Sequence, residues 1–356
     1  MFFGQTVFLL LVLQFLLLPN CAKSEDNNQK WFPACHPEEK CVPLGSCPFL
    51  LRKTLQKPMP QDDKKLLGSK LCNYREAPEP TQAYFVCCQV LPKSCGQLPP
   101  DFRVIGDIAQ LNGYPWMAML LYQHPRDQAT FYTQECAGSL INKRYVVTAA
   151  HCINPGRLLL KMVRLGEHNI STAIDCVNNE CAPPHLDIAI KEKIIHEGYD
   201  SQSLRNDIAL LRLEYPIYYS NAIKPICVIP SYDFNNHFFI NESMTVAGWG
   251  VTQTGRRSDV LRRTTVKGRD STKCTQPFRE STLCALSTDG TDTTRGDSGG
   301  PLMARMGNPI NESVYLAGIT SYGSENYGMT GSFYTRTEYF IDWIKEKLKP
   351  SSQDEF

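Results

Sequence analysis

An excess of charge of either sign is missing from this chain: Lys and Arg number 37, Asp and Glu 36, a formal net charge of +1 over 356 residues. That balance argues against nucleic acid or an anionic membrane surface as a partner, because both select clustered basic charge. Zinc-type spacing is missing as well, since no pair of CxxC motifs occurs. There is no internal repeat and no low-complexity tract. Long apolar runs are lacking everywhere except at the N-terminus, where Thr6 to Leu18 reads TVFLLLVLQFLLL. This run is shorter than the roughly 20 apolar residues that a spanning helix needs. Pro19, small residues and the polar stretch SEDNNQK follow it. That is the outline of a signal peptide, although no Lys or Arg precedes the run. Cleavage between Asn20 and Asp26 is expected, so residues 1–24 read as a leader and the mature chain as secreted and extracellular, with no membrane partner.

Cysteine is plentiful. Of 15 cysteines, Cys21 leaves with the leader, and the even remainder suits a disulfide framework in an oxidising compartment. Cys35, Cys41, Cys47, Cys72, Cys87 and Cys88 crowd a segment too small to build a good core alone, and their spacing leaves the pairing open. The stretch QVLPKSCGQLPPDFR, ending at Arg103, is rich in Pro and reads as a linker. Beyond it, short apolar stretches recur between turn residues: WMAMLLY, RYVVTAA, IALLRL, SMTVAGWG and YLAGITSYG. This texture favours an all-β sandwich or barrel. Near the C-terminus, Phe340, Trp343, Ile344 and Leu348 fall at helical spacing within TEYFIDWIKEKL.

Three strings carry chemistry. Cleaving an amide needs a nucleophile, a base to take its proton, and an acid to hold that base in one tautomer. TAAHC contains His151, NDIALL contains Asp207 and RGDSGGPL contains Ser298. The glycines around Ser298 permit tight turns and close approach of a substrate.

Together these strings resemble the chymotrypsin-like serine proteases, over residues 104 to about 348. The resemblance implies an all-β fold of two six-stranded antiparallel β-barrels with a C-terminal helix and an active site between the barrels. It implies Ser298 as nucleophile, His151 as general base and then acid, and Asp207 as the group that orients His151, supported by Ser321. The N–H groups of Gly296 and Ser298 would form the oxyanion hole. FRVIGD resembles the family's activation junction, so cleavage after Arg103 would free the α-amino group of Val104 to pair with Asp297. Asp107 stands where the family usually has Gly. Asp292 matches the acid at the floor of the primary pocket, implying cleavage after Arg or Lys. Gly323 would line the pocket mouth, and Ser332 would narrow a wall that is usually Gly. Thr294 and the region of Asn326 lack the cysteines of a familiar pocket bridge.

The early cysteines match the clip pattern of arthropod clip-domain proteases. That likeness divides the chain into a leader (1–24), a small disulfide-rich clip domain (35–88), a linker with the activation site (89–103) and a protease domain (104–348). It implies the pairs Cys35–Cys87, Cys41–Cys72, Cys47–Cys88, Cys95–Cys227, Cys136–Cys152, Cys176–Cys181 and Cys274–Cys284. Relatives hold Ca²⁺ in a loop that here runs from Glu167 to Asp175, with Asn169 and Thr172 as carbonyl donors, and they need no catalytic cofactor. Asn169, Asn241 and Asn311 begin glycosylation sequons. Clip-domain relatives act in extracellular cascades of innate immunity, Toll signalling or prophenoloxidase activation. The implied partners are an upstream activating protease, a downstream zymogen or cytokine precursor as substrate, and serpin inhibitors, in haemolymph if the source is an arthropod. A non-catalytic scaffold or cofactor of such a cascade is the alternative.

Overall fold

Near-continuous apolar stretches form strands where both faces are covered, and YVVT and ALLRL are buried along their whole length, Arg212 included. A longer, alternating stretch, LDIAIKEKII, leaves one face wet. These patterns build the larger of two units in a computed structural model that describes residues 32, 34–35, 39–55, 58–89, 91–100, 102, 106–125, 132–229, 239–252, 254–270, 280–287, 296–307, 312–323 and 331–349. One unit is Met1–Val90 with Trp343–Phe356, and the other is Leu91–Asp342.

In the first unit, three strands, β1 (Glu39–Pro43), β2 (Leu71–Tyr74) and β3 (Tyr84–Gln89), form an antiparallel sheet in the order β1-β3-β2. Helices Pro48–Leu55, Gln61–Lys70 and Pro80–Ala83 connect them, which the cysteine spacing did not foretell. Gln61–Lys70 carries Asp62 and Asp63 in its first turn and Lys70 in its last, both placed to suit the helix dipole. Leu44, Leu50, Leu67 and Val86 form a core with no exposure at all. Lys70 reaches Glu39 at 3.1 Å, and both side chains are buried. Cys35–Cys87, Cys41–Cys72 and Cys47–Cys88 cross-link this small core.

The second unit continues with β4 (Met117–Gln123), β5 (Thr133–Leu140), β6 (Tyr145–Thr148), β7 (Leu159–Leu165), the short β8 (Cys176–Val177) and β9 (Glu180–Cys181), β10 (Leu186–Ile195) and β11 (Ala209–Leu213). A closed barrel runs β10-β11-β6-β5-β4-β7. After β12 (Cys227–Val228) come β13 (Ser243–Gly248), β14 (Arg262–Arg269), β15 (Thr282–Ser287), β16 (Pro301–Met306), β17 (Ser313–Gly323) and β18 (Ser332–Arg336). Their sheet closes on itself because β17 pairs with both β16 and β18, while β12 adds to β17 in parallel. The fold is thus two closed six-stranded antiparallel barrels, and all five apolar stretches named above lie within or across their strands. The C-terminal segment is a 3₁₀ turn, Thr337–Phe340, running into helix Ile341–Lys347, with Phe340, Ile344 and Leu348 buried.

Replacing Cys41 and Cys72 with serine opens a loop of 31 residues and should destabilise the first unit by about 3–4 kcal/mol. Hydrogen exchange of β3 amides in the full chain reads this directly. Unchanged protection would mean that the small core holds without the cross-link.

Candidate active site

The antiparallel register Thr148↔Ala209 sets the end of β6 beside the start of β11. His151 sits three residues past the first strand and Asp207 two residues before the second, so ordinary barrel pairing brings them together. Asp207 is fully buried. Its Oδ1 accepts the backbone N–H of His151 at 2.9 Å, and its Oδ2 lies 2.7 Å from His151 Nδ1. An ionised carboxylate can only accept, so Nδ1 carries the proton and Nε2 keeps its lone pair. Ser321 Oγ from β17 also donates to Oδ2, and Thr335 Oγ1 from β18 donates to the Asp207 carbonyl at 2.7 Å. The acid of the first barrel is therefore held by hydroxyls of the second.

Ser298 lies on the turn that leads into β16. Gly296 and Gly299 on either side adopt φ of +108° and +77°, values that L side chains rarely take. Strand β5 holds this turn at two points. Ala137 N–H donates to the Ser298 carbonyl at 2.8 Å, and Gln134 Nε2 donates to the Gly296 carbonyl at 3.1 Å. Among the described residues, Ser298 Oγ makes no hydrogen bond to His151, a contact that free enzymes often leave open until substrate binds. Asp297 fits a slot between Gly248 and Gly250, where any Cβ would collide with its carboxylate, and Gly250 N–H donates to its Oδ1 at 2.9 Å. Gln134, Gly248 and Gly250 escaped the sequence reading. The only trace of the last two is the Gly-Trp-Gly run that ends SMTVAGWG.

Arg103 and Val104 lie outside the described residues, as do Asp292, Thr294, Asn326, Asn311 and Cys274. Their neighbours are anchored. Cys95 bonds to Cys227, Gly96 N–H donates to the Pro225 carbonyl, and Val314 N–H donates to the Gly96 carbonyl. Phe102 packs edge-on to Tyr114 and lies 5.2 Å under the Arg305 guanidinium. Asp107 pairs with Arg262 at 2.7 Å, and its carbonyl accepts Arg263 N–H. Being exposed, that ion pair contributes about 0.2–1 kcal/mol. Ser332 is fully buried and registers with Gly323 across β17 and β18. Cys136–Cys152 and Cys176–Cys181 are formed, and Cys284 is disulfide-bonded. Asn241 is exposed, whereas Asn169 is half-buried and its side-chain oxygen caps Ser171.

The loop expected to hold Ca²⁺ is arranged differently. Hard cations take six to eight oxygens, yet all four carboxylate oxygens here already receive donors. Glu167 accepts His168 N–H on one oxygen, and Arg164 Nη1 at 3.1 Å on the other, where His185 Nδ1 lies 3.3 Å away. Asp175 accepts the N–H groups of His168 and Asn169 on one oxygen and the Thr172 hydroxyl on the other. Thr172 thus turns its hydroxyl to Asp175, and the Asn169 carbonyl is taken by Thr172 N–H. Burial, then the nearby Asp175, raises the Glu167 pKa against the pull of His185 and Arg164. Burial would raise Asp175 as well, but Thr172 and the two backbone donors outweigh it and hold it low. Among the described residues, metal-type side chains gather in threes only around disulfides, at Cys35, Cys72 and Cys87 and at Cys136, His151 and Cys152. In this arrangement Arg164 supplies Glu167 with the cation that Ca²⁺ would otherwise bring. A chelator should therefore leave the thermal midpoint unchanged. An ion present at 100 times its Kd would contribute about 2.7 kcal/mol, and its removal would lower the midpoint by several degrees.

The geometry agrees with comparisons to known proteins. The family description "Trypsin" matches residues 103–344, and "Regulatory CLIP domain of proteinases" matches residues 39–88. The chain is 34% identical to the Spaetzle-processing enzyme of Drosophila melanogaster, over 96% of this chain and 98% of that one. It is 33% identical to phenoloxidase-activating factor 3 of Holotrichia diomphalia, over 87% and 91%. The crystal structure of the Drosophila Grass clip serine protease of the Toll pathway superposes with a TM-score of 0.62 at 31% identity, covering 88% of this chain and 96% of that one. With a trypsin domain over most of its length and a clip domain before it, the chain belongs to the clip-domain serine proteases and is a serine endopeptidase.

Proposed function

We propose that the protein is a secreted zymogen that is cut after Arg103 and then cleaves protein substrates after Arg or Lys in an extracellular cascade. The observation that carries the reading is the fully buried Asp207 bound to both nitrogens that His151 offers it. That bond leaves Nε2 as the base. Ser298 Oγ gives its proton to Nε2 as it attacks the scissile carbonyl, and the imidazolium returns that proton to the departing amine. The N–H groups of Gly296 and Ser298, which among the described residues have no acceptor, receive the oxyanion.

Activation rests on the slot for Asp297. A new Val104 amine paired with this carboxylate fixes the turn that carries Gly296 and Ser298, since a buried charge is tolerated when paired. The Cys95–Cys227 bond keeps residues before the cut attached to the protease afterwards. The names of the relatives, one processing Spaetzle and one activating phenoloxidase, support a cytokine precursor or a zymogen as substrate. An upstream trypsin-like protease and serpin inhibitors complete the set of partners, in haemolymph.

Cutting the recombinant precursor after Arg103 should switch on labelling of Ser298 by a fluorophosphonate and cleavage of a peptide library after Arg or Lys. Asp297→Asn should hold the cut chain about 10²–10³-fold below its parent, on the scale of a lost oxyanion-hole donor. Equal activity before and after the cut would sink the reading, and absent labelling after it would favour the scaffold. Ser332→Gly should raise kcat/KM for Arg-containing substrates about tenfold, the low end of what one small group in a pocket decides. A peptide series read on both forms measures it, and no change would place Ser332 outside the pocket wall.

A further inference from the structure

Gln134 on β5 is nine-tenths buried and bridges the nucleophile turn to a surface arginine. Its Nε2 donates to the Gly296 carbonyl at 3.1 Å, and its Oε1 accepts Arg257 Nη1 at 3.3 Å. Arg257 in turn donates through Nη2 to Glu135 Oε2 at 2.7 Å. The direction of this relay is fixed by chemistry. Guanidinium only donates and a backbone carbonyl only accepts, so one orientation of the amide satisfies both.

The hydrogen bond acts where the backbone is freest. Gly296 has φ of +108° and no Cβ to restrain it, so the direction of its carbonyl sets the rotation of the next peptide plane. Without Gln134 that plane can tilt about Gly296, while Gly250 N–H on the Asp297 carboxylate and Gly300 N–H on the Asp297 carbonyl keep hold of its far end. The second hold from β5, Ala137 N–H to the Ser298 carbonyl, restrains the far side of the nucleophile only. We propose that Gln134 is a positioning residue for peptide hydrolysis. It holds the Gly296 carbonyl so that the N–H groups on either side of Asp297 converge on the oxyanion, and the Arg257–Glu135 pair keeps its amide turned toward the turn. Gln134 touches no reacting atom and works through Gly296.

Two variants test this in the full processed chain, with active sites counted by fluorophosphonate titration: Gln134→Met, which keeps the length but loses the donor, and Arg257→Met. Each is compared with its parent in kcat, in KM for a peptide the parent cuts, and in affinity for a peptide boronate that forms a tetrahedral adduct on serine. Gln134→Met is expected to lower kcat about fivefold, the worth of one typical neutral hydrogen bond. KM should stay within about twofold, and boronate affinity should fall by the same factor as kcat. Arg257→Met should move the same two quantities in the same direction by a smaller factor; its side chain is 32% exposed, so it keeps the test open should the buried variant fail to fold. Unchanged kcat in the variants, or a fall confined to KM with boronate affinity intact, would overturn the proposal. The parent's own turnover reads the activation step, whereas the variant-to-parent ratio reads this one.

Discussion

A carboxylate with no exposure to water governs the larger unit. Asp207 is tolerable there only because each oxygen meets a donor, and those donors come from two different barrels. His151 reaches it from the end of β6, and Ser321 and Thr335 from β17 and β18. Trp116 adds a further link, its indole N–H directed at the Met303 sulfur in β16. An unpaired charge at this depth would cost several kcal/mol. The barrels are therefore tied together by the same interaction that sets the tautomer of His151. Stability and chemistry share one constraint at this position.

The turn from Gly296 to Gly299 follows a related logic with backbone in place of side chains. Its glycines allow a path that other residues resist, and that freedom has to be removed by neighbours. Strand β5 does so through Ala137 and Gln134, Thr320 does so by accepting Gly299 N–H at 2.7 Å, and the Gly248–Gly250 slot receives Asp297. Flexible residues and rigid surroundings are complementary here. The turn can be shaped only after both barrels have closed around it.

Much of this was legible in the residues. Alternating and continuous apolar runs placed the strands, because a strand's burial pattern is local. The strings around His151 and Asp207 singled out two groups that the first barrel does bring together, because each string is a short local signature. The clip helices were not legible, since a segment dominated by cysteine spacing says little about what connects the bridges. Arg164 and His185 were missed as partners of Glu167, and with them the self-contained form of the 167–175 loop. Gln134 and Arg257 lie 123 residues apart and share no pattern.

The amino-acid sequence by itself determined the class of fold, the expectation of a nucleophile and a base at Ser298 and His151, and the even set of cysteines, all of which are written in local periodicity, short strings and parity. Only the tertiary structure decided which donors satisfy Asp207, which cation serves Glu167 and which side chain holds the Gly296 carbonyl. Those choices depend on groups from distant strands arriving within about 3 Å of one another. No local pattern encodes that distance until the barrels have closed.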